Sequence, residues 1–216
     1  MSKSTSSRTK LTLKGSTEIV AEFFHFCINS ILYQRGIYPP DQFKRESKYG
    51  LAMMVATDER LKRYMIRVLS DLEGWLNKGD VYQVVVVVKG VDSGDIFERW
   101  VFEVDAATDK ENIGVALSQT ALKTSKDISS EISALLRQIT ATVTFLPMLP
   151  EDDPPVFDIL IYTDRDSLVP IDWTETDAQA LKNAETVKLR NFNTNIHKVD
   201  ASVAYRVCSV EEFSEF

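Results

Sequence analysis

Apolar residues along this chain recur at two spacings, three-and-four and two, and the changes between them mark out the elements. From Gly15 to Arg35, GSTEIVAEFFHFCINSILYQR, the residues Ile19, Val20, Phe23, Phe24, Phe26, Cys27, Ile31 and Leu32 cover a wide helical face. A face that wide predicts a helix lying nearly central in the core. Gly15 or Ser16 can cap its start, Glu18 suits the positive first turn and Gly36 offers a left-handed stop. Pro39 and Pro40 then force an extended connection. A second helix is predicted from about Asp58 to Asn77, where Leu61, Met65, Val68, Leu72 and Trp75 or Leu76 form one stripe, Lys62, Arg63, Arg67 and Asp71 lie outside it, and Gly79 ends it.

The rhythm then changes to two. VYQVVVVVKG is too uniform and too short for a helix, and the turn Asp92-Ser93-Gly94-Asp95 joins it to IFERWVFEV as a β-hairpin whose buried face carries Trp100. Residues 105–125 are polar and aperiodic and read as a surface loop. A third helix is predicted from about Lys126 to Thr144, with Ile128, Ile132, Leu135, Leu136, Ile139 and Val143 inward. Its end is rich in β-branched Thr140, Thr142, Val143 and Thr144, so tertiary packing is expected to hold that turn helical until Pro147 closes it. VFDILIYT, Val156 to Thr163, is apolar on both faces apart from Asp158 and predicts a core strand.

Beyond Asp164 the chain is irregular around Trp173, and then alternates again. Val187 and Leu189 share one parity and Phe192, Thr194 and Ile196 the other, so a bulge or turn is expected near Asn191. NTNIHKVDASVAYRV, Asn193 to Val207, reads as two short strands around a turn. The whole is α+β: one domain over 11–208, between a flexible basic tail at 1–10 and an acidic tail at 209–216.

With 44% apolar residues among 216 the chain can bury a substantial core, while a net charge of -7 lacks the broad positive field that nucleic acid demands. Cys27 and Cys208 alone make poor material for a disulfide framework and point to a reducing compartment. No apolar run approaches the roughly 18 to 20 residues of a membrane span. Phosphate-binding glycine loops, nucleophile elbows and zinc spacings are all missing, so no cofactor or metal is expected. His197 beside Lys198 could serve as a base, as in a hydrolase that pairs it with an aspartate, and Asp158, Asp164 and Asp166 could hold a metal, but neither set shows the partners such chemistry needs. Read as residues alone, His197 is a strand residue, His25 a satisfied core histidine, the aspartates and the acidic run Glu151 to Asp153 solvated surface, and the Arg137-Gln138 pair a solvated helix face.

Five segments in order carry a resemblance: EIVAEFF with INSILYQRGIYP, ERWVFEV, RQITATVTFLP, DILIYTD and NIHKVDASVAYRV. They resemble the spindle-checkpoint HORMA-domain proteins, the mitotic-arrest-deficient-two family, over nearly the whole chain. The resemblance implies three helices on a mainly antiparallel sheet, and a mobile C-terminal safety belt over about 164–208. It implies a non-enzymatic adaptor of nucleus, kinetochore and cytoplasm. That adaptor would trap a peptide of the mitotic-arrest-deficient-one scaffold or of the coactivator of the anaphase-promoting complex, and so delay anaphase. Further implied partners are a checkpoint-kinase-like member of the mitotic checkpoint complex, a HORMA-like adaptor with an AAA+ remodelling ATPase, and a second copy in an open-closed homodimer. No nucleic acid or membrane partner is implied.

The matching residues are Ile159, Leu160 and Tyr162 as peptide contacts, Trp75 and Trp173 as walls, Ile196, His197 and Val199 from the belt, and Arg137, Gln138 and Phe145 for dimerisation. Truncation after about Asn195 is expected to abolish peptide capture while leaving the fold largely intact. A second reading within the same fold is the HORMA accessory subunit of a translesion DNA polymerase.

Overall fold

A computed structural model describes residues 11–106 and 123–207. The expected tails, most of the 105–125 loop and Cys208 fall outside the described residues.

Helix α1, Leu13–Gln34, runs through the centre of the molecule. It starts two residues earlier than predicted because Thr12, whose hydroxyl accepts from the Gly15 amide at 3.1 Å, is the better cap. Strands β1, Phe43–Lys48, and β2, Leu51–Ala56, form a hairpin that the pattern did not announce. Its turn residues, Tyr49 and Gly50, both have positive φ, at 50° and 69°. A tyrosine is a rare occupant of that region, and it is held there by its hydroxyl, which donates to Glu22 Oε2 at 2.6 Å, and by its ring against Phe26. Helix α2, Glu59–Lys78, agrees with its signals: Asp58 accepts from the Arg60 and Leu61 amides, and Gly79 at φ 80° closes it.

The main sheet is antiparallel, in the order β5-β3-β4-β7-β6, built of β3 (Val81–Gly90), β4 (Ile96–Ala106), β5 (Pro155–Thr163), β6 (Ala184–Asn193) and β7 (His197–Arg206). Strand β3 has neighbours on both sides, and Val84 to Val88 are all buried, which accounts for a valine run with no polar alternation. Val84, Val86 and Val88 join the main core under the helices, whereas Val85 and Val87 cluster with Leu160 on the opposite face. Trp100, Phe102 and Val104 are buried as predicted; Phe97 is buried too, because a bulge pairs Val88 with Glu98 and Lys89 with Ile96 and leaves Phe97 as the extra residue.

Three expectations are corrected here. Helix α3, Ser125–Ala141, opens with a capping box between Thr124 and Asp127 but stops three residues short of Thr144, which closes a tighter turn over Thr142–Thr144. The threonines cause this: Thr140, Thr142 and Thr144 turn their hydroxyls back onto the carbonyls of Leu136, Ile139 and Ala141 at 3.0, 2.6 and 2.8 Å. Strand β5 lies at the edge of the sheet, not in its middle; it looks apolar on both faces because Ile159 packs under the helices and Leu160 on the far side. The acidic run is not merely solvated, since Asp153 accepts from the Asp92 amide at 2.9 Å and the Ser93 hydroxyl at 2.5 Å and so pins the β3–β4 turn. A Cβ at Gly90 would lie 1.7 Å from Asp153 Oδ2, so any larger residue there would displace this carboxylate from the turn.

The expected slip near Asn191 is present as a register shift between Lys188 and Asn191. The C-terminal segment is not two short strands: β6 ends at Asn193, Asn195 turns at φ 73°, and β7 continues unbroken on β4.

Candidate functional site

The outer edge of β5 pairs with no strand among the described residues. Its unpaired amides and carbonyls face a groove between α2 and the segment 164–183, which carries the chain from β5 at one edge of the sheet to β6 at the other. An open edge of this kind is a template for an added strand unless something guards it.

Helix α2 guards it at one-turn intervals. Arg67, Asp71 and Trp75, spaced by four, lie on one face of the helix. Arg67 Nη1 pairs with Asp172 Oδ2 at 3.1 Å, Asp71 Oδ2 accepts from Trp173 Nε1 at 2.8 Å, and Trp75 Nε1 donates to the Leu168 carbonyl at 3.0 Å. The two indoles meet edge to face, with centroids 5.3 Å apart. Behind this clasp lie two connected hollows of about 370 and 250 Å³, which share Ile159, Leu160, Trp173, Thr174 and Thr176 as walls. A third, of about 580 Å³, continues past Tyr64 and Asp158 to Tyr38 and Phe157. Burial, reinforced by Asp158, pushes the Tyr64 phenol up to about 12, so it stays a neutral hydrogen-bonding group in the groove wall.

Of the residues expected to contact a peptide, Trp75, Ile159, Leu160, Tyr162 and Trp173 come together around this groove. Ile196, His197 and Val199 do not, and that expectation is corrected. They belong to the β6–β7 ribbon, which pairs with β4 on the far side of β3 from the groove. Alternation turns the odd residues of β7 inward there: Val199 packs in the core, and His197 is 1% exposed. Ile196 is half-buried in the turn.

The three residues expected at a self-association surface also lie together, beside the ribbon. Arg137 donates to Ser133 Oγ at 2.8 Å, Gln138 Oε1 accepts from the Arg190 amide of β6 at 2.7 Å, and Phe145, 45% exposed, sits 6.4 Å from the Tyr205 ring. Gln138 thereby blocks part of the outer edge of β6. Sequence reasoning missed Arg67, Asp71 and Asp172; the four-residue spacing was visible, but charges outside an apolar stripe ordinarily face water.

No three His, Cys, Asp or Glu side chains among the described residues gather as metal ligands do. Asp158 pairs with Lys89, and the Asp164 amide donates to the Asp80 carbonyl.

Burial lowers the pKa of both histidines; at His25 Glu22 and Glu46 partly oppose this, and at His197 the Leu76 carbonyl does. The unfolded chain takes up protons near pH 6.5 that the folded chain refuses until lower pH, so the stability is complete above about pH 6.5 and drains away as the pH falls through the folded values. The urea midpoint is expected to hold steady from about pH 8 to 7 and to decline below about 6.5, and the double variant His25→Gln, His197→Gln to flatten that decline. Glu98, raised by burial against the pull of Arg35, works in the opposite sense as it takes up its proton.

The HORMA domain profile matches residues 16–197. The chain is 48% identical over 207 residues to the mitotic spindle assembly checkpoint protein MAD2A of Dictyostelium discoideum, covering 96% of this chain and 98% of that one. It is 49% identical over 198 residues to the human MAD2A protein (91% and 93% covered), and 46% over 203 residues to the spindle checkpoint component mad2 of Schizosaccharomyces pombe (93% and 96%). Among solved structures, a chain of the mitotic checkpoint complex superposes with a TM-score of 0.78 at 42% identity, covering 89% of this chain and 99% of that chain. The C. elegans protein HTP-2, solved with a HIM-3 closure motif, shares the fold at a TM-score of 0.74 and 13% identity, covering 91% and 92%.

Proposed function

Since this chain belongs to the HORMA domain family, and within it to the mitotic spindle checkpoint proteins, we propose that it is a non-enzymatic adaptor that traps a short peptide along β5 beneath residues 164–183. One observation carries the reading: a strand edge with no partner strand among the described residues, roofed by a segment clasped to α2 at three points. An extended peptide entering there gains main-chain hydrogen bonds from β5, and side chains of alternate residues enter the hollows beside Ile159 and Tyr162.

The ligands are segments of the mitotic-arrest-deficient-one scaffold and of the anaphase-promoting-complex coactivator, held at the kinetochore and in nucleus and cytoplasm. Solved relatives support the mode: one sits in the mitotic checkpoint complex and another holds a closure motif. The ribbon lies on β4, which leaves β5 open to a ligand; moved to the β5 edge, it would fill the site itself. Binding and relocation are then one event. Self-association through Arg137, Gln138 and Phe145 follows the position of the ribbon, because Gln138 bonds β6 directly. The remaining partners, a checkpoint-kinase-like protein and a HORMA-like adaptor with its AAA+ ATPase, belong to the same cycle.

Peptides from the scaffold, the coactivator and a translesion polymerase, titrated against the full chain, test the reading. The two checkpoint peptides are expected to bind and to leave slowly; tighter binding of the polymerase peptide would reverse the assignment. Asp71→Ala removes the partner of the Trp173 indole and should speed release about tenfold, the effect of about 1.4 kcal/mol, with little change in the association rate. An unchanged release rate would mean that the clasp does not hold the ligand.

A further inference from the structure

Where the first turn of α1 meets the turn between β6 and β7, three polar side chains 178 and 181 residues apart in sequence share a dry contact. Ser16 Oγ lies 2.6 Å from His197 Nδ1 and 2.5 Å from Thr194 Oγ1, and none of the three residues is more than 1% exposed. The Leu76 carbonyl faces the ring closely enough to favour a proton on Nε2, without completing a hydrogen bond. Nδ1 therefore accepts from Ser16, and Ser16 accepts from Thr194. The Thr194 oxygen also accepts from the His197 amide at 2.9 Å. The Thr194 hydroxyl also lies 3.1 Å from the His197 carbonyl, so its proton is shared between that carbonyl and Ser16, and the set of bonds forms only with this histidine and this turn in place.

Two outer contacts flank it. Glu131 Oε2 accepts from the Asn193 amide at 3.0 Å while its carboxylate pairs with Lys123, and Asn195 Oδ1 accepts from the Lys123 amide at 3.1 Å. These are only partly buried, and water can replace them. It cannot reach the inner three.

We propose that Ser16, Thr194 and His197 form a latch that holds the β6–β7 ribbon on β4, with Ser16 as the positioning residue that ties the ribbon to the start of α1. The proposal rests on the reading of the ribbon as relocatable. With the ribbon docked, removing the Ser16 hydroxyl strands the imidazole nitrogen in a dry site and leaves the Thr194 hydroxyl only the His197 carbonyl of its own turn, 3.1 Å away. With the ribbon away, Thr194 and His197 regain water and the same change costs little. The loss falls on one state of the equilibrium, so the population shifts. Buried polar groups of this kind stabilise modestly but penalise every misplaced arrangement.

Amide exchange of the full chain, with and without a scaffold peptide, tests the latch in Ser16→Ala, Thr194→Val and Thr194→Ser. The first two should speed exchange of the β6 and β7 amides about tenfold or more and leave α2 and β3 unchanged. Thr194→Ser, which keeps the hydroxyl, should behave as the native chain. Ser16→Ala combined with Thr194→Val should cost less than the sum of the two. Native-like ribbon exchange in both loss variants, or exchange quickened evenly across the fold, would overturn the latch while leaving relocation intact. A native ribbon that exchanges only through global unfolding, with or without peptide, would overturn relocation and the latch with it. Should Ser16→Ala fail to fold, the Thr194 pair decides the matter.

Discussion

A chain ended after Asn195 is expected to release scaffold and coactivator peptides within the dead time of a sizing column, and to lose much of its stability as well. The second half of that result departs from the expectation drawn from sequence, in which the fold survives the cut. Strand β7 brings Val199, Ala201 and Val203 into the core, and it is the strand through which β6, with fully buried Phe192, joins the sheet. At about 1.5–3 kcal/mol for each large side chain withdrawn from water, the docked ribbon contributes roughly 5 kcal/mol or more. That is a substantial share of the about 5–15 kcal/mol typical of a folded domain. The cut also bares the β4 edge beside Trp100 and Phe102. Urea unfolding and peptide release measured on the same sample check both halves, and retention with the native half-life would show that the ribbon plays no part in holding the ligand.

Arg35→Ala is expected to destabilise the domain by about 3–5 kcal/mol, because it leaves a buried carboxylate without its counter-charge. Arg35 Nη2 lies 2.6 Å from Glu98 Oε1 in an ion pair whose side chains are 5% and 2% exposed. The same nitrogen donates to the Pro147 carbonyl at 2.5 Å, and Trp100 Nε1 donates to Glu98 Oε2 at 3.1 Å. Glu98 sits beside the β4 bulge, so the pair ties the end of α1 to that bulge and to the chain following α3. Burial already raises the Glu98 pKa against the attraction of Arg35, and loss of the arginine raises it further. Replacing both partners, Arg35→Met with Glu98→Leu, is expected to recover most of the loss. Urea midpoints of the three variants measure this, and a single variant as stable as the native chain would show that the pair is not a structural tie.

Helices α1 and α2 and the β3–β4 hairpin were legible because their apolar spacing and their stop signals agree. Asp58 and Gly79 act at the ends of α2 through local backbone chemistry that needs no distant partner, whereas the cap of α1 was expected at Gly15 or Ser16 and is Thr12. The β1–β2 hairpin was not legible, since a tyrosine in a left-handed turn is held there by Glu22 and Phe26 and not by its own preference. Half of the candidate site could be placed as well: Trp75, Ile159, Leu160, Tyr162 and Trp173 meet around one groove. The belt residues could not, for His197 was assigned to the site from its segment, and the segment docks elsewhere.

Periodicity by itself determined which face of α1, α2 and most of β4 turns inward, because a side chain's tendency to leave water depends on its own chemistry and on its spacing from its neighbours; it failed at Phe97, which is buried at a bulge, and at Val143, which was expected inward and is 40% exposed in the tight turn after α3. It left the sheet order undecided. Every strand offers the same backbone donors and acceptors along both edges, so nothing in the residues of β5, β4 or β7 states which edge meets which. Only the packed chain settles that β7 lies on β4, that the outer edge of β5 pairs with no strand among the described residues, and that Ser16 faces His197 across the length of the polypeptide.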